Sequence, residues 1–260
     1  MTASQKDFEF HCPICRGDAV PRISMDMSHA GTNEPDIFTG QSVTYWQCWD
    51  CEFAWAPIMW RMTPEEFKAQ IYTPDYGRFD PGFGGSRAMN NAIVTHDLLW
   101  KTRAAGVKMD PKIVDWGGGS GHFEMYMGQM GWENVTTCDP FYQDTAPSIS
   151  PPYDFITCFE VFEHHPNPRD LVADILNVAA PGACLMFTTV TVPGKLHPSW
   201  WYIAPRSGHI TFYSKRSLVE LFAEHGWSVV HSGDSVHFAF EGTNPPPITR
   251  GFIQVEGRGP

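Results

Sequence analysis

The stretch Ile113-Val114-Asp115-Trp116-Gly117-Gly118-Gly119-Ser120-Gly121-His122-Phe123 decides the reading of the fold. A short apolar run ends in an acid, glycines follow at every second position, and an amphipathic helical pattern then begins. Glycine lets the backbone turn tightly and leaves no Cβ between the chain and a ligand lying across it. The helix start beyond it offers N–H groups to a carboxylate or phosphate. Glycine-rich strand–helix turns also serve nucleotides or packing alone, so this segment by itself leaves those alternatives open.

Outward from that turn, strand and helix patterns alternate. Strands are predicted at 112–115, 134–138, 153–159 and 184–189, and helices at 121–130, 168–179 and 215–225, the last capped by Ser214. Residues 228–231 and 236–240 read as a closing antiparallel pair around Gly233-Asp234. This alternation predicts an α/β fold with a Rossmann-like, mostly parallel sheet covered on both faces. Upstream, Thr63-Pro64-Glu65-Glu66 is a helix start, with Thr63 as N-cap, Pro64 at the first position and Glu66 as capping-box partner. That helix should reach about residue 71. Residues 72–86 are turn-dense and aromatic and read as a mobile or ligand-covering loop. Residues 88–105 show helical periodicity through Ile93, Leu98 and Leu99, ended by Gly106. The stretch 243–260, with Pro245-Pro246-Pro247, should be irregular.

A chain of 260 residues suits one α/β domain with a small appendage. Its formal charge of −11 argues against a nonspecific binder of nucleic acid or anionic membrane, which needs a basic surface. The first ten residues are polar, so no signal peptide is expected. No apolar run is long enough to span a bilayer. A cytoplasmic protein with a small-molecule partner is the expectation, and the sequence is silent on oligomeric state.

Of the seven cysteines, Cys138, Cys158 and Cys184 sit in apolar strand-like runs and read as small hydrophobes. The other four form Cys12-Pro13-Ile14-Cys15 and Cys48-Trp49-Asp50-Cys51. Two Cys-x-x-Cys knuckles are a zinc pattern, since four thiolates close a tetrahedron around the ion. The thirty-two residues between them (16 to 47) must hold a hairpin or extended loop, as in rubredoxin-like ribbons. Disulfides or a redox Cys-x-x-Cys are the competing readings. Zinc would be structural here, folding residues 8–60, which have little core of their own.

Asp139 closes the second strand of the α/β region, eighteen positions after Gly121. An acid there suits the ribose hydroxyls of a nucleoside bound at the carboxyl ends of the strands, though it can equally be a turn former before Pro140. Pro140-Phe141-Tyr142 suits stacking on an adenine ring, or core packing.

Together, the segments 115–121, Asp139, 153–164 and Pro181-Gly182-Ala183-Cys184-Leu185 resemble the successive motifs of class I S-adenosylmethionine (SAM)-dependent methyltransferases. The similarity is to the small-molecule branch that includes quinone-ring and sugar methyltransferases. The segment from Trp200 to Ser214 resembles a stretch typical of that branch, and the resemblance covers about residues 85–240. With the cysteine spacing and composition above, the chain divides into a ribbon-like zinc module at 8–60, a linker and helical lid at 61–111, a SAM-binding domain at 112–242 and an irregular tail at 243–260. SAM would then lie on Asp115, Gly117, Gly119, Gly121, Asp139, Pro140, Phe141, Phe159 and Glu160. One departure stands out. Only residues 140–152 precede the next strand, so the usual third strand and its helix are shortened or absent, and Asp144 is a weak candidate for the adenine amine.

The reaction implied is in-line displacement at a methyl group, most simply onto a hydroxyl oxygen, for which the protein supplies alignment and a base. His209 is the first candidate base, with His164 and Glu163 beside it in the motif Glu160-Val161-Phe162-Glu163-His164. Related methyltransferases acting on vicinal hydroxyls hold a divalent cation with this pattern, so Glu160, Glu163, His164 and His209 form a possible Mg²⁺ or Mn²⁺ site. Sugar or nucleotide-sugar C-methylation is the alternative chemistry, although the chain ends too early for the additional C-terminal domain of those enzymes. A non-catalytic SAM-binding scaffold carrying a zinc ribbon is the alternative from outside catalysis.

Overall fold

The computed structural model describes residues 11–29, 37–139 and 149–253. The strands are β1 (Ala19–Asp26), β2 (Ser42–Cys48), β3 (Ala54–Trp55), β4 (Ile113–Trp116), β5 (Val135–Cys138), β6 (Tyr153–Phe159), β7 (Ala179–Thr188), β8 (Thr211–Phe212), β9 (Trp227–Ser232) and β10 (Val236–Glu241). The helices are α1 (Pro57–Trp60), α2 (Pro64–Gln70), α3 (Tyr76–Phe79), α4 (Ser86–Ala104), α5 (His122–Gln129), α6 (Pro168–Leu176) and α7 (Lys215–Ala223). They fall into two compact units, one of residues 82–160, 172–188 and 222–260, the other of residues 1–81, 161–171 and 189–221.

The first of these carries a six-stranded sheet in the order β5-β4-β6-β7-β10-β9. Strands β5, β4, β6 and β7 are parallel, and β10 runs antiparallel to both β7 and β9. Ile113, Phe155, Cys184, Met186, Phe238 and Phe240 belong to one buried cluster with Leu99 and Phe123 of the helices. Full burial of such side chains stabilises by about 1.5–3 kcal/mol each. Strand β7 begins at Ala179, five residues before the predicted start, where the helix was expected still to run. Tyr153 pairs with Ala179 and an irregularity follows, with Gly182 at φ 78°, before regular pairing resumes. The Pro181-Gly182 pair therefore interrupts a strand rather than separating a helix from one.

The tail is irregular as expected, with one 3-10 turn at Pro247–Thr249. Ile248 and Ile253 join the same buried cluster, and the Ile248 carbonyl accepts the Thr102 hydroxyl at 2.9 Å. A Cβ on Gly251 would lie 2.4 Å from the backbone of Lys101, so glycine permits this close approach to α4. Residues 254–260 lie outside the described residues.

The other unit carries the antiparallel sheet β1-β2-β3-β8. The hairpin expected between the knuckles is β1 and β2, paired from Ala19↔Cys48 to Asp26↔Ser42. Strand β8 pairs with β3 through Ala54↔Phe212 and Trp55↔Thr211. Ribbon and late loop therefore share one sheet, and the unit is not bounded at residue 60. Its core includes Tyr45, Trp55-flanking Ala54 and Ala56, and Ile203, Ile210 and Phe212 from the far end of the chain. Helix α2 starts on the predicted capping box, with the Thr63 hydroxyl accepting Glu66 N–H at 3.2 Å and the Glu66 carboxylate accepting Thr63 N–H at 2.8 Å. The span 72–86, expected as a mobile loop, instead holds α3 and a 3-10 turn at Pro81–Gly84. Tyr76 is buried there and its hydroxyl donates to the Ser207 carbonyl at 3.0 Å.

Candidate active site and metal centre

At the β4–α5 turn, Gly117, Gly119 and Gly121 have φ of 76°, 58° and 81°, the left-handed region that side chains avoid. Gly118 is required for a different reason, since its Cβ would lie 2.2 Å from a carboxylate oxygen of Asp115. Asp115 is buried, and its carboxylate accepts the Thr157 hydroxyl at 2.7 Å. Burial pushes its pKa up from 3.8 to about 7, and the nearby charges of Asp139 and Glu124 add to the rise, against the Thr157 bond. Asp139, also buried, accepts the Gly119 N–H at 2.9 Å. Glu124 accepts the Thr137 N–H at 2.8 Å. Phe159 packs on Phe123 with ring centroids 5.5 Å apart. Pro140, Phe141, Tyr142 and Asp144, named from the sequence, lie outside the described residues.

Glu160 has φ 55°, uncommon for a residue with a side chain, and is held there by one partner. Its N–H donates to the Thr188 hydroxyl oxygen at 2.9 Å, and that hydroxyl donates to its carboxylate at 2.8 Å. The predicted four-residue cation set is thereby revised. Glu163, His164 and His209 bring ligand atoms within 4.8 Å of one another, and Glu160 is not among them.

Glu163 is fully buried, while the two histidines are half-buried. His164 Nδ1 is 3.1 Å from the Gly208 carbonyl and His209 Nδ1 is 2.7 Å from the Tyr202 carbonyl. A carbonyl only accepts, so each Nδ1 carries a proton. Such carbonyl bonds fix the tautomer of imidazoles that bind ions or take protons. Two long-range features escaped the sequence reading. Gly208, at φ 87°, leaves room that a Cβ would fill 3.0 Å from His164 Nδ1. The buried Tyr45 hydroxyl donates to the His209 carbonyl at 2.7 Å.

The four N-terminal cysteines are free thiols whose sulfurs all lie within 4.8 Å of one another. Sulfurs of Cys12 and Cys51 are 3.5 Å apart, and those of Cys15 and Cys48 are 3.4 Å apart. A zinc tetrathiolate, with Zn–S about 2.3 Å, has edges of about 3.8 Å, so the donor set fits that ion. Backbone N–H groups of Ile14, Gly17, Asp50 and Cys51 point at these sulfurs from 3.3 to 3.5 Å. Each knuckle is followed by a residue in left-handed conformation, Arg16 at φ 66° and Glu52 at φ 60°. Burial pushes the Cys48 thiol up to about 12 and, with the Cys12 contact leading, drives Cys51 higher still. A divalent cation reverses that preference and deprotonates the thiols outright.

A family model described as a methyltransferase domain matches residues 95–232. The ubiquinone biosynthesis O-methyltransferase of Hahella chejuensis (strain KCTC 2396) is 38% identical over 48 residues, 18% of this chain. That alignment spans 20% of the relative's length. Among solved structures, the plantazolicin methyltransferase BpumL in complex with SAH is similar with a TM-score of 0.49 at 9% identity, covering 68% of this chain and 94% of that one. The mitomycin 7-O-methyltransferase MmcR matches with a TM-score of 0.46 at 15% identity, covering 66% and 59%.

Two outcomes follow from this geometry. Protein purified without added metal should carry one equivalent of zinc by elemental analysis; less than half an equivalent, with Cys12 and Cys48 modified or disulfide-bonded, contradicts the site. The second concerns Asp115. Between pH of about 4 and 7 the folded chain keeps a proton that the unfolded chain has released, so ligand-free stability falls as pH rises through that window. The loss is on the order of 4 kcal/mol. Asp115→Asn, neutral at every pH, should lack this component. Its melting temperature should gain on wild type by several degrees between pH 5 and 7.5, and a constant difference contradicts the shift.

Proposed function

The chain belongs to the methyltransferase-domain family matched over residues 95–232, and on that premise we propose that it moves the methyl group of SAM to a hydroxyl oxygen of a small acceptor. The observation that carries the choice of cofactor is the charge of the glycine turn. Asp115, Asp139 and Glu124 bring acidic groups to it, and the Gly119 N–H is already given to the Asp139 carboxylate. An anionic pyrophosphate would be opposed by Asp139 and Glu124, which already hold Asp115 toward its protonated form, whereas a cationic ligand is welcome and draws Asp115 toward its carboxylate. Three left-handed glycines open the cradle, and Asp139 at the end of β5 suits ribose hydroxyls. Phe159 and Glu160, at the carboxyl end of β6, complete the cofactor side in this reading.

SAM supplies an electrophilic methyl on a sulfonium, and the transfer itself asks of the protein only alignment, dryness and removal of the acceptor proton. His209 Nε2 takes that proton. The buried Glu163 carboxylate, close to both imidazoles, stabilises the imidazolium that forms. His164 flanks the same cluster, with its ring centroid 5.0 Å from that of His209. The hydroxyl acceptor rather than carbon is preferred because its proton sits on the reacting atom, where an imidazole base can take it as the new bond forms.

One observation favours a second reading of the same residues. Ligand atoms of His164, His209 and Glu163 within 4.8 Å of one another form a donor set for a divalent ion, Mg²⁺ or Mn²⁺. Such an ion would acidify an acceptor hydroxyl directly.

His209→Ala should lower kcat by ~10²–10⁴ with SAH affinity unchanged. If His209 is a base, EDTA has little effect. If it is an ion ligand, EDTA abolishes activity and Mg²⁺ or Mn²⁺ restores it while zinc content stays constant. Wild-type turnover in His209→Ala contradicts both roles.

A further inference from the structure

The cysteine knuckles and the Glu163–His164–His209 cluster are parts of one hydrogen-bonded framework. Tyr45, in β2 three residues before Cys48, donates its hydroxyl to the His209 carbonyl at 2.7 Å. Strand β3, beginning three residues after Cys51, pairs with β8, and Ala56 N–H donates to the Ile210 carbonyl at 2.9 Å. Ile210 N–H in turn donates to the Glu163 carbonyl at 2.8 Å, and the Thr211 hydroxyl to the His165 carbonyl at 2.9 Å. The second knuckle is tied from its other side, because the Ser214 hydroxyl donates to the Cys51 carbonyl. The first knuckle is held by Arg169, whose guanidinium donates to the Pro13 and Ile14 carbonyls. Arg169 lies six residues beyond Glu163. Both chain segments that carry the cluster are therefore fastened to the backbone of the knuckles.

We infer that the four-cysteine zinc site positions the proton-handling cluster, with Tyr45 as the positioning residue that sets His209. This rests on the reading of His209 as functional and adds a role for the zinc beyond folding its own ribbon. Tyr45 is suited to the task. It is fully buried, its ring packs on Phe212 with centroids 5.2 Å apart, and its only polar atom is spent on the His209 carbonyl. Burial also raises its phenol well above the ordinary value, so it stays a donor at every working pH. A bond to a backbone carbonyl fixes where the histidine starts, and the Tyr202 carbonyl on Nδ1 fixes how its ring turns. Misplacement by about 1 Å can cost on the order of 100-fold in rate.

The test uses the full chain in two arms. Tyr45→Phe keeps the ring and deletes one hydrogen bond. It should lose at least tenfold in kcat while KM for SAM, calorimetric SAH affinity and zinc content stay within twofold of wild type. In the second arm, zinc is removed with a thiol-reactive chelator system and SAH binding is titrated. Zinc-free chain should still bind SAH, should lose turnover, and should show shifted imidazole resonances of His164 and His209. Wild-type kcat in Tyr45→Phe overturns the inference, as does parallel loss of SAH binding on zinc removal. If His209→Ala is inactive while Tyr45→Phe is fully active, the coupling fails and the functional reading stands. If His209→Ala is itself fully active, the functional reading fails first.

Discussion

Four cysteine sulfurs drawn within 4.8 Å of one another are the constraint on which one half of this molecule depends. The knuckles are separated by thirty-two residues, and closing a loop of that length costs entropy that the short β1–β2 hairpin offsets only in part. A metal–thiolate site supplies binding free energy that serves as folding free energy. Once the knuckles are fixed, β2 and β3 are set side by side, and β8 adds to them from more than 150 residues further along the chain. The apolar core of the unit then closes over Tyr45, Ile210 and Phe212. Glu163 and His164 sit on a three-residue 3-10 turn, Phe162–His164, and His209 on a loop, and such short segments hold a precise geometry only when a rigid scaffold holds their ends.

The other half obeys a different constraint, the close approach of Asp115 to the backbone at Gly118. It excludes any side chain there, buries a carboxylate and drives its pKa toward neutrality. Perturbed groups of this kind concentrate where ligands bind. Here the perturbation also carries a sign. Acids gathered on a glycine turn oppose the phosphates that such turns bind in dinucleotide folds and favour a sulfonium. A cation can thus be bound by a motif that elsewhere serves an anion.

Much of this was legible in the residues themselves. Strand β6 has its predicted bounds, and the capping box at Thr63 and Glu66 forms as written, because both follow from local patterns. The four cysteines were marked by their spacing, whereas Glu163, His164 and His209 came, together with Glu160, from the resemblance to related methyltransferases. What escaped depends on contacts far apart in sequence. Strand β8 is two residues long and exists only because β3 lies beside it. Tyr45 looks like any aromatic in an alternating strand until its hydroxyl is seen to reach residue 209. Glu160 shares a motif with Glu163 but leaves the cation set, since its left-handed backbone and the Thr188 hydroxyl hold its carboxylate. The tail is irregular, as its prolines imply, but the burial of Ile248 and Ile253 depends on distant partners that no local pattern shows.

The central claim is that SAM is held by the turn from Asp115 to Gly121, independently of the metal-tied half. Calorimetric titration of SAH into Gly119→Val tests it most directly. Valine at φ 58° is strained and puts a branched side chain where the cofactor must lie. The account predicts SAH affinity at least tenfold weaker, with zinc content and the far-ultraviolet circular dichroism spectrum unchanged. Unaltered affinity in that variant would contradict it.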